Sequence, residues 1–326
     1  LGYKKFRFYD FSTNPQYEDV KKGVKLIKKT NPELIIAIGG GSVIDMGKQI
    51  NILSNNEYSK KSIINKVRLK KPKIPLIAIP TTSGTGSEST SFSVIYINGK
   101  KYSIENKYMM PNYAFIFPKL GEKMKKSLLA SCIFDAFSQA IESYWSINST
   151  TSSKRLSSKA INIIKTNLCK AVNGSIKPRA ELFKAANLSG QAINITKTTA
   201  PHAISYTLSS KYKLQHGHAV AITLGKFFKY NMPDPTKKIN DRRGSEYIKK
   251  TMNNLYKIMK CENSTKCEDY WYETMEKIGL KTSFRNIGIS DSSDIDYLIK
   301  CIDQNRLSNN PIKLNAIELR DILNTL

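Results

Sequence analysis

Residues 17–29 place Val20, Val24 and Ile27 at helical spacing with charged residues between them, which predicts an amphipathic helix. Asn31-Pro32 breaks it, and Leu34-Ile35-Ile36-Ala37-Ile38 follows as a short, wholly apolar run. That pattern predicts a parallel strand covered on both faces. The run ends in Gly39-Gly40-Gly41-Ser42, and Val43 to Lys48 opens another helix. Lys73 to Ile79 reads as a second buried strand that runs directly into Pro80-Thr81-Thr82-Ser83-Gly84-Thr85-Gly86-Ser87-Glu88. After Pro118 the pattern turns helical. Met124, Leu128, Cys132 and Asp135 lead into Ala140–Trp145, and further helices are expected over 157–172, 181–195, 247–259 and 316–323. The chain therefore divides into an α/β domain, 1–118, and an all-α domain, 119–326.

A length of 326 residues suits two domains, and 40% hydrophobic residues suffices for ordinary cores. No apolar run approaches the roughly 20 residues a membrane span needs, and the front carries no signal-peptide pattern. Five scattered cysteines, with no paired CxxC, favour a reducing cytoplasm over a disulfide framework. The net charge of +26 admits a nucleic-acid binder. Yet pairs such as Lys21-Lys22, Lys125-Lys126 and Lys249-Lys250 are spread along the chain without interleaved aromatics, as on solvated faces. Such a field would also speed the arrival of an anionic substrate. The chain opens on Leu1 rather than Met, which suggests a missing N-terminal piece.

A strand, a glycine run and a helix start make a phosphate-binding arrangement, because backbone amides and the positive helix end converge on an anion. A triple glycine alone could be a tight turn. The hydroxyl-rich segment after the second strand adds side chains able to bond a ribose and a pyrophosphate. GGGSVIDMGK and PTTSGTGSE resemble the two dinucleotide-binding signatures of the iron-containing alcohol dehydrogenases, a family within the dehydroquinate synthase-like superfamily. KYSIENKYMMPNYAFIFP is similar to the segment preceding that family's metal-binding domain. The resemblance implies a Rossmann-like half whose first strand and helix would precede Phe11, followed by an all-helical half. It also implies that NAD(P)H meets Gly39, Gly40, Gly41 and Ser42 through its pyrophosphate, with Asp45 near the nicotinamide. Thr81, Thr82, Thr85 and Ser87 would line the ribose and phosphates, and Lys101 would reach the nicotinamide ribose. The plain alternative for Asp45 is a helix first-turn acid favoured by the dipole.

In that family a divalent ion, Fe2+ or Zn2+, is held by an Asp, a His four residues later and two further His. Positions i and i+4 share a helix face. Here the Asp is Asp135, but Gln139 stands where the His is expected. The three histidines, His202, His216 and His218, all fall within one short stretch. His216-Gly217 resembles the family's last ligand. His202 aligns more naturally with a histidine near the nicotinamide, which puts the ligand-like position on Thr198 or Thr199. Asp135 and His216 with His202 would make three ligands and leave an open position, and Gln139 could add a weak oxygen. An enzyme without metal is the alternative.

KTTAPHAISY followed by HGHAVAITLG resembles the branch that reduces phosphonoacetaldehyde to 2-hydroxyethylphosphonate. Lys197, five residues before His202, could bind the phosphonate, or be one more solvated lysine. His202 or a water relay would supply the proton. The resemblance further implies a homo-oligomer acting on a small aldehyde or alcohol. The rival readings are an alcohol, diol or sugar-acid dehydrogenase of the same fold, a dehydroquinate synthase-like lyase, and a non-catalytic or nucleic-acid-binding derivative.

Overall fold

The computed structural model describes residues 2, 4–56, 59, 60, 63, 69–302 and 304–326. It forms two compact units: residues 1–82 with 86–120, and residues 83–85 with 121–326.

In the first unit, helix α1 (Tyr17–Thr30) buries Tyr17, Val20, Gly23 and Val24 and ends at Asn31, whose left-handed backbone precedes Pro32. Strand β1 (Ile35–Gly39) leads into α2 (Gly41–Ser54), then β2 (Leu76–Pro80), the hairpin β3 (Phe92–Ile97) and β4 (Lys100–Glu105), and β5 (Tyr113–Ala114). The strands β1, β2 and β5 form a parallel sheet in that order, with Ala37 opposite Ala78. Asn98-Gly99 turns the hairpin with positive φ at both residues, as a two-residue loop requires.

Helix α2 lies so close to β1 that a Cβ on Gly47 would come 2.9 Å from that of Ala37. This covers Ala37. The expectation that β1 is covered on both faces does not hold among the described residues: Ile36 and Ile38 are 51% and 55% exposed. Alternate strand residues point to opposite faces, so Ile36 and Ile38 share the face turned away from Ala37 and α2.

The second unit is helical: α3 (Lys126–Trp145), α4 (Thr151–Val172), α5 (Ile176–Thr196), α6 (Ala200–Lys211), α7 (His216–Tyr230), α8 (Ser245–Met259), α9 (Ser264–Lys277), α10 (Ser292–Lys300), α11 (Gln304–Leu307) and α12 (Ala316–Asn324). From Leu129 to Trp145 nearly every residue of α3 is buried, as in a helix wrapped on all sides. Trp271 of α9 meets the ring of Phe134 edge-on at 4.7 Å and donates its indole N–H to Ala221 O at 2.8 Å. The expected starts at 157 and 181 fall late by about one turn and more. Thr150 caps α4 in a reciprocal box with Ser153, ahead of the first apolar stripe. No helix is long and apolar enough to cross a membrane among the described residues.

Candidate active site

In the first unit the glycine run is the β1–α2 junction. Gly40 is the extended N-cap of α2, and Val43 N and Ile44 N bond back to its carbonyl at 3.0 and 3.2 Å. Ser42 Oγ accepts from Asn14 N at 3.2 Å. Thr81 N bonds Gly39 O at 2.9 Å, and a Cβ on Gly40 would come 3.3 Å from the Thr82 side chain. The glycine turn and the start of the hydroxyl segment are thus brought together.

Asp45 and Ser87 bind each other. Ser87 Oγ donates to Asp45 Oδ1 at 2.5 Å, and Val94 N donates to Asp45 Oδ2 at 2.8 Å. Removal from water raises the Asp45 carboxyl above its usual range, while Lys48, these two bonds and Lys101 oppose that rise. One turn on, Lys48 is fully buried. Its ammonium donates to Thr90 O at 2.8 Å, Thr90 Oγ1 at 2.9 Å and Phe92 O at 2.9 Å. Burial lowers it to about 8, against the pull of Asp45 and Glu88. Asp45 and Lys48 therefore stitch α2 to the downstream end of the hydroxyl segment and to β3. Sequence reasoning gives Lys48 no role beyond its place in the helix that the glycine run opens.

In the second unit, Asp135, His202 and His216 converge, with one ligand atom from each within 4.8 Å of the others. His202 Nε2 lies 3.4 Å and His216 Nε2 3.9 Å from Asp135 Oδ1. Asp135 and His202 are buried and His216 is half-buried. Gly217 makes this possible: a Cβ there would stand 1.9 Å from Ser131 O and 2.8 Å from Asp135 Cβ, so only glycine lets α7 cross α3 at this point. His218 lies apart from the cluster, its Nε2 on Lys281 O at 2.7 Å, and burial lowers its proton affinity.

Gln139 lies beside Asp135. Its Nε2 donates to Asp135 Oδ1 at 3.0 Å and to Thr85 O at 3.3 Å, and its buried Oε1 has no partner. Thr85 is tied to the helical unit by this bond. Thr198 and Thr199, the alternative ligand positions, bond elsewhere. Thr198 Oγ1 accepts from Arg306 Nη1 at 2.7 Å, and Thr199 Oγ1 donates to Glu142 Oε1 at 2.9 Å and accepts from Trp145 Nε1 at 3.0 Å.

Glu142 is the residue the sequence reading missed. Seven positions after Asp135, it shares that helix face. It has no solvent exposure, and its Oε2 accepts from His202 Nδ1. Burial would lower the His202 imidazole, but Glu142 and then Asp135 outweigh it and raise it. For Asp135, burial acts upward, yet His202, His216 and Gln139 hold it below the usual carboxylate range.

The donor set fits a divalent ion. One carboxylate and two imidazoles converge, a buried amide oxygen nearby lacks a partner, and a carboxylate orients the imidazole from behind. An α/β unit followed by a helical unit is consistent with the fold of solved iron-containing alcohol dehydrogenases. The chain belongs to the iron-containing alcohol dehydrogenase family: that family's model matches residues 2–118, and the model of its C-terminal domain matches 129–326.

Long-chain-alcohol dehydrogenase 1 of Geobacillus thermodenitrificans is 28% identical, over 98% of this chain and 82% of that protein. Phosphonoacetaldehyde reductase of Streptomyces viridochromogenes is 30% identical, over 76% of this chain and 65% of that protein. The structure of sulfoacetaldehyde reductase from Bifidobacterium kashiwanohense in complex with NAD+ superposes with a TM-score of 0.86 at 26% identity, over 98% of this chain and 82% of that one.

Proposed function

We propose that the protein interconverts an aldehyde and a primary alcohol with NAD(P)H, with phosphonoacetaldehyde as the substrate to be reduced. The observation that carries the reaction class is the convergence of Asp135, His202 and His216 with Glu142 behind His202. The substrate reading is supported by the likeness to a phosphonoacetaldehyde reductase and by the chain's +26 charge, which favours an anionic aldehyde.

A bound nicotinamide supplies hydride, and a bound divalent ion polarises the carbonyl. Asp135, His202 and His216 would hold that ion, with Gln139 Oε1 as a further oxygen donor. Glu142 fixes the proton of His202 on Nδ1 and leaves the Nε2 lone pair facing the cluster. With its Nε2 given to that ion, His202 would have no proton to give, and a water would then complete the alcohol. Gly39 to Ser42 and the α2 N-terminus would receive the pyrophosphate, with Asp45 and Ser87 holding the neighbouring segment in shape. Thr81, Thr82 and Thr85 would line the ribose and phosphates, and Lys101 would reach the nicotinamide ribose.

The test is a reductase screen of the purified protein with phosphonoacetaldehyde and neutral short aldehydes. It uses NADH and NADPH, with and without Fe2+ or Zn2+. Turnover that needs a metal and prefers the phosphonate supports the reading. Absence of turnover with every aldehyde and both cofactors, after metal loading is confirmed by elemental analysis, overturns it.

A further inference from the structure

His202 and Tyr206 lie four apart on α6, and Thr198 lies just before that helix's N-cap, in a row with them. Residues four apart lie one above another on a helix face. Arg306 of α11 touches both ends of this row. Its Nη1 donates to Thr198 Oγ1 at 2.7 Å, and its guanidinium carbon lies 5.6 Å from the centre of the Tyr206 ring. Tyr206 stacks on His216 at 6.5 Å with a 28° interplanar angle, and the His216 and His202 rings meet at 5.4 Å. The half-buried guanidinium therefore stands one ring beyond the metal-type cluster, against the face that presents His202.

The segment carrying Arg306 is anchored at the same point. Asn309 Nδ2 donates to Thr198 O at 3.1 Å, and Ile147 N donates to Asn309 O at 3.1 Å. Arg306 is thus held in place before any ligand arrives. Lys197 differs: it caps α5 at positive φ and sets its ammonium on Asn194 O at 3.3 Å.

We propose that Arg306 is the anion-recognising group of this site, selecting short aldehydes that carry a tetrahedral oxyanion, phosphonate or sulfonate. The proposal rests on the aldehyde-reductase reading above and names the residue that sets its substrate class. Arginine suits this role because it stays charged at every working pH, and its planar fork pairs with two oxygens of one anion at once. The aromatic face of Tyr206 lies against the guanidinium and adds cation–π support.

Arg306→Gln should lower kcat/KM for phosphonoacetaldehyde roughly ten- to a hundredfold, the loss expected for a charge-assisted bond. Propanal turnover should change by less than about threefold, because no charged group is lost from that reaction. Arg306→Lys should recover part of the loss, which separates charge from folding. Equal losses on both aldehydes, or none on either, overturn the proposal. Calorimetric titration with methylphosphonate and with methanesulfonate provides a readout independent of turnover, and the preferred probe identifies the anion. Binding that weakens at least about tenfold in Arg306→Gln supports the proposal even if no aldehyde is reduced, in which case only the reductase reading fails. Equal binding by wild type and variant, or no binding of either probe by wild type, overturns it.

Discussion

Glu142 of α3 reaches two parts of α6 at once: its Oε2 accepts a hydrogen bond from His202 Nδ1, and its Oε1 accepts from Thr199 N at 2.9 Å. Thr199 is the N-cap of α6, but its own side chain makes no capping bond. A carboxylate borrowed from another helix does that work and favourably faces the positive end of the helix. Metal-type geometry and helix capping therefore depend on one side chain.

Glu142→Gln should separate these two duties. An amide oxygen still accepts from Thr199 N, while an amide N–H turned toward His202 forces the imidazole proton onto Nε2 and removes the ligand lone pair. Metal affinity should fall about ten- to a hundredfold with the helical fold retained, measured by metal titration alongside circular dichroism. Glu142→Leu removes the acceptor of the buried His202 Nδ1 and Thr199 N and should cost about 3–5 kcal/mol in urea denaturation. Unchanged metal affinity in Glu142→Gln would show that His202 orientation does not depend on this carboxylate.

Gln139 should weaken metal binding at this site. Its amide N–H occupies Asp135 Oδ1 at 3.0 Å and offers no strong ligand. Gln139→His should retain metal through dialysis where wild type loses it, as read by elemental analysis. A wild-type protein that keeps one full equivalent through chelator treatment contradicts the idea.

Gly217→Ala tests the helix crossing. The added Cβ would meet Ser131 O, a backbone atom that cannot swing aside. Overpacking of this kind costs about 1–3 kcal/mol, and here it also pushes His216 away from Asp135. Thermal denaturation should show the loss, together with weaker metal binding. A variant with wild-type stability and affinity would mean that α7 shifts freely along α3.

Lys48 carries a pH signature. Its folded-state value of about 8 lies below its ordinary 10.5. Below about 8 both folded and unfolded chains are protonated there. Between the two values the unfolded chain binds the extra proton, so stability rises with pH. The rise approaches about 3 kcal/mol in full and is complete above the unfolded value. Lys48→Met should abolish this component in chemical denaturation followed from pH 7 upward, although it leaves Thr90 O and Phe92 O without their donor. Identical pH dependence in both proteins would assign any rise to other groups.

Local pattern carried much of this architecture. The glycine run after an apolar strand, the hydroxyl segment after the next one, and the spacing of Asp135 and Gln139 were legible because each depends on neighbours within a turn or two. Helix starts were less so: a capping residue such as Thr150 precedes the apolar stripe that announces its helix. The segments that became α6 and α7 were read for their chemistry, and their helical form emerged only in the structure.

What the sequence determined by itself was an α/β part followed by a helical part, the glycine-rich and hydroxyl-rich turns after two strands, and Asp135, His202 and His216 as candidate ligands. What tertiary structure decided was which groups meet. Glu142 was one charge in a helix until its bond to His202, sixty residues away, and Arg306 was one arginine among many basic residues until Thr198 and Tyr206 framed it. Gly217 was half of a short motif until Ser131 showed why no side chain fits. Lys48 belonged to a helix pattern until its three oxygens appeared on the far side of a loop. Periodicity reports which face of an element is buried. The partner a buried polar group must find is supplied by a distant part of the chain, and only packing brings the two together.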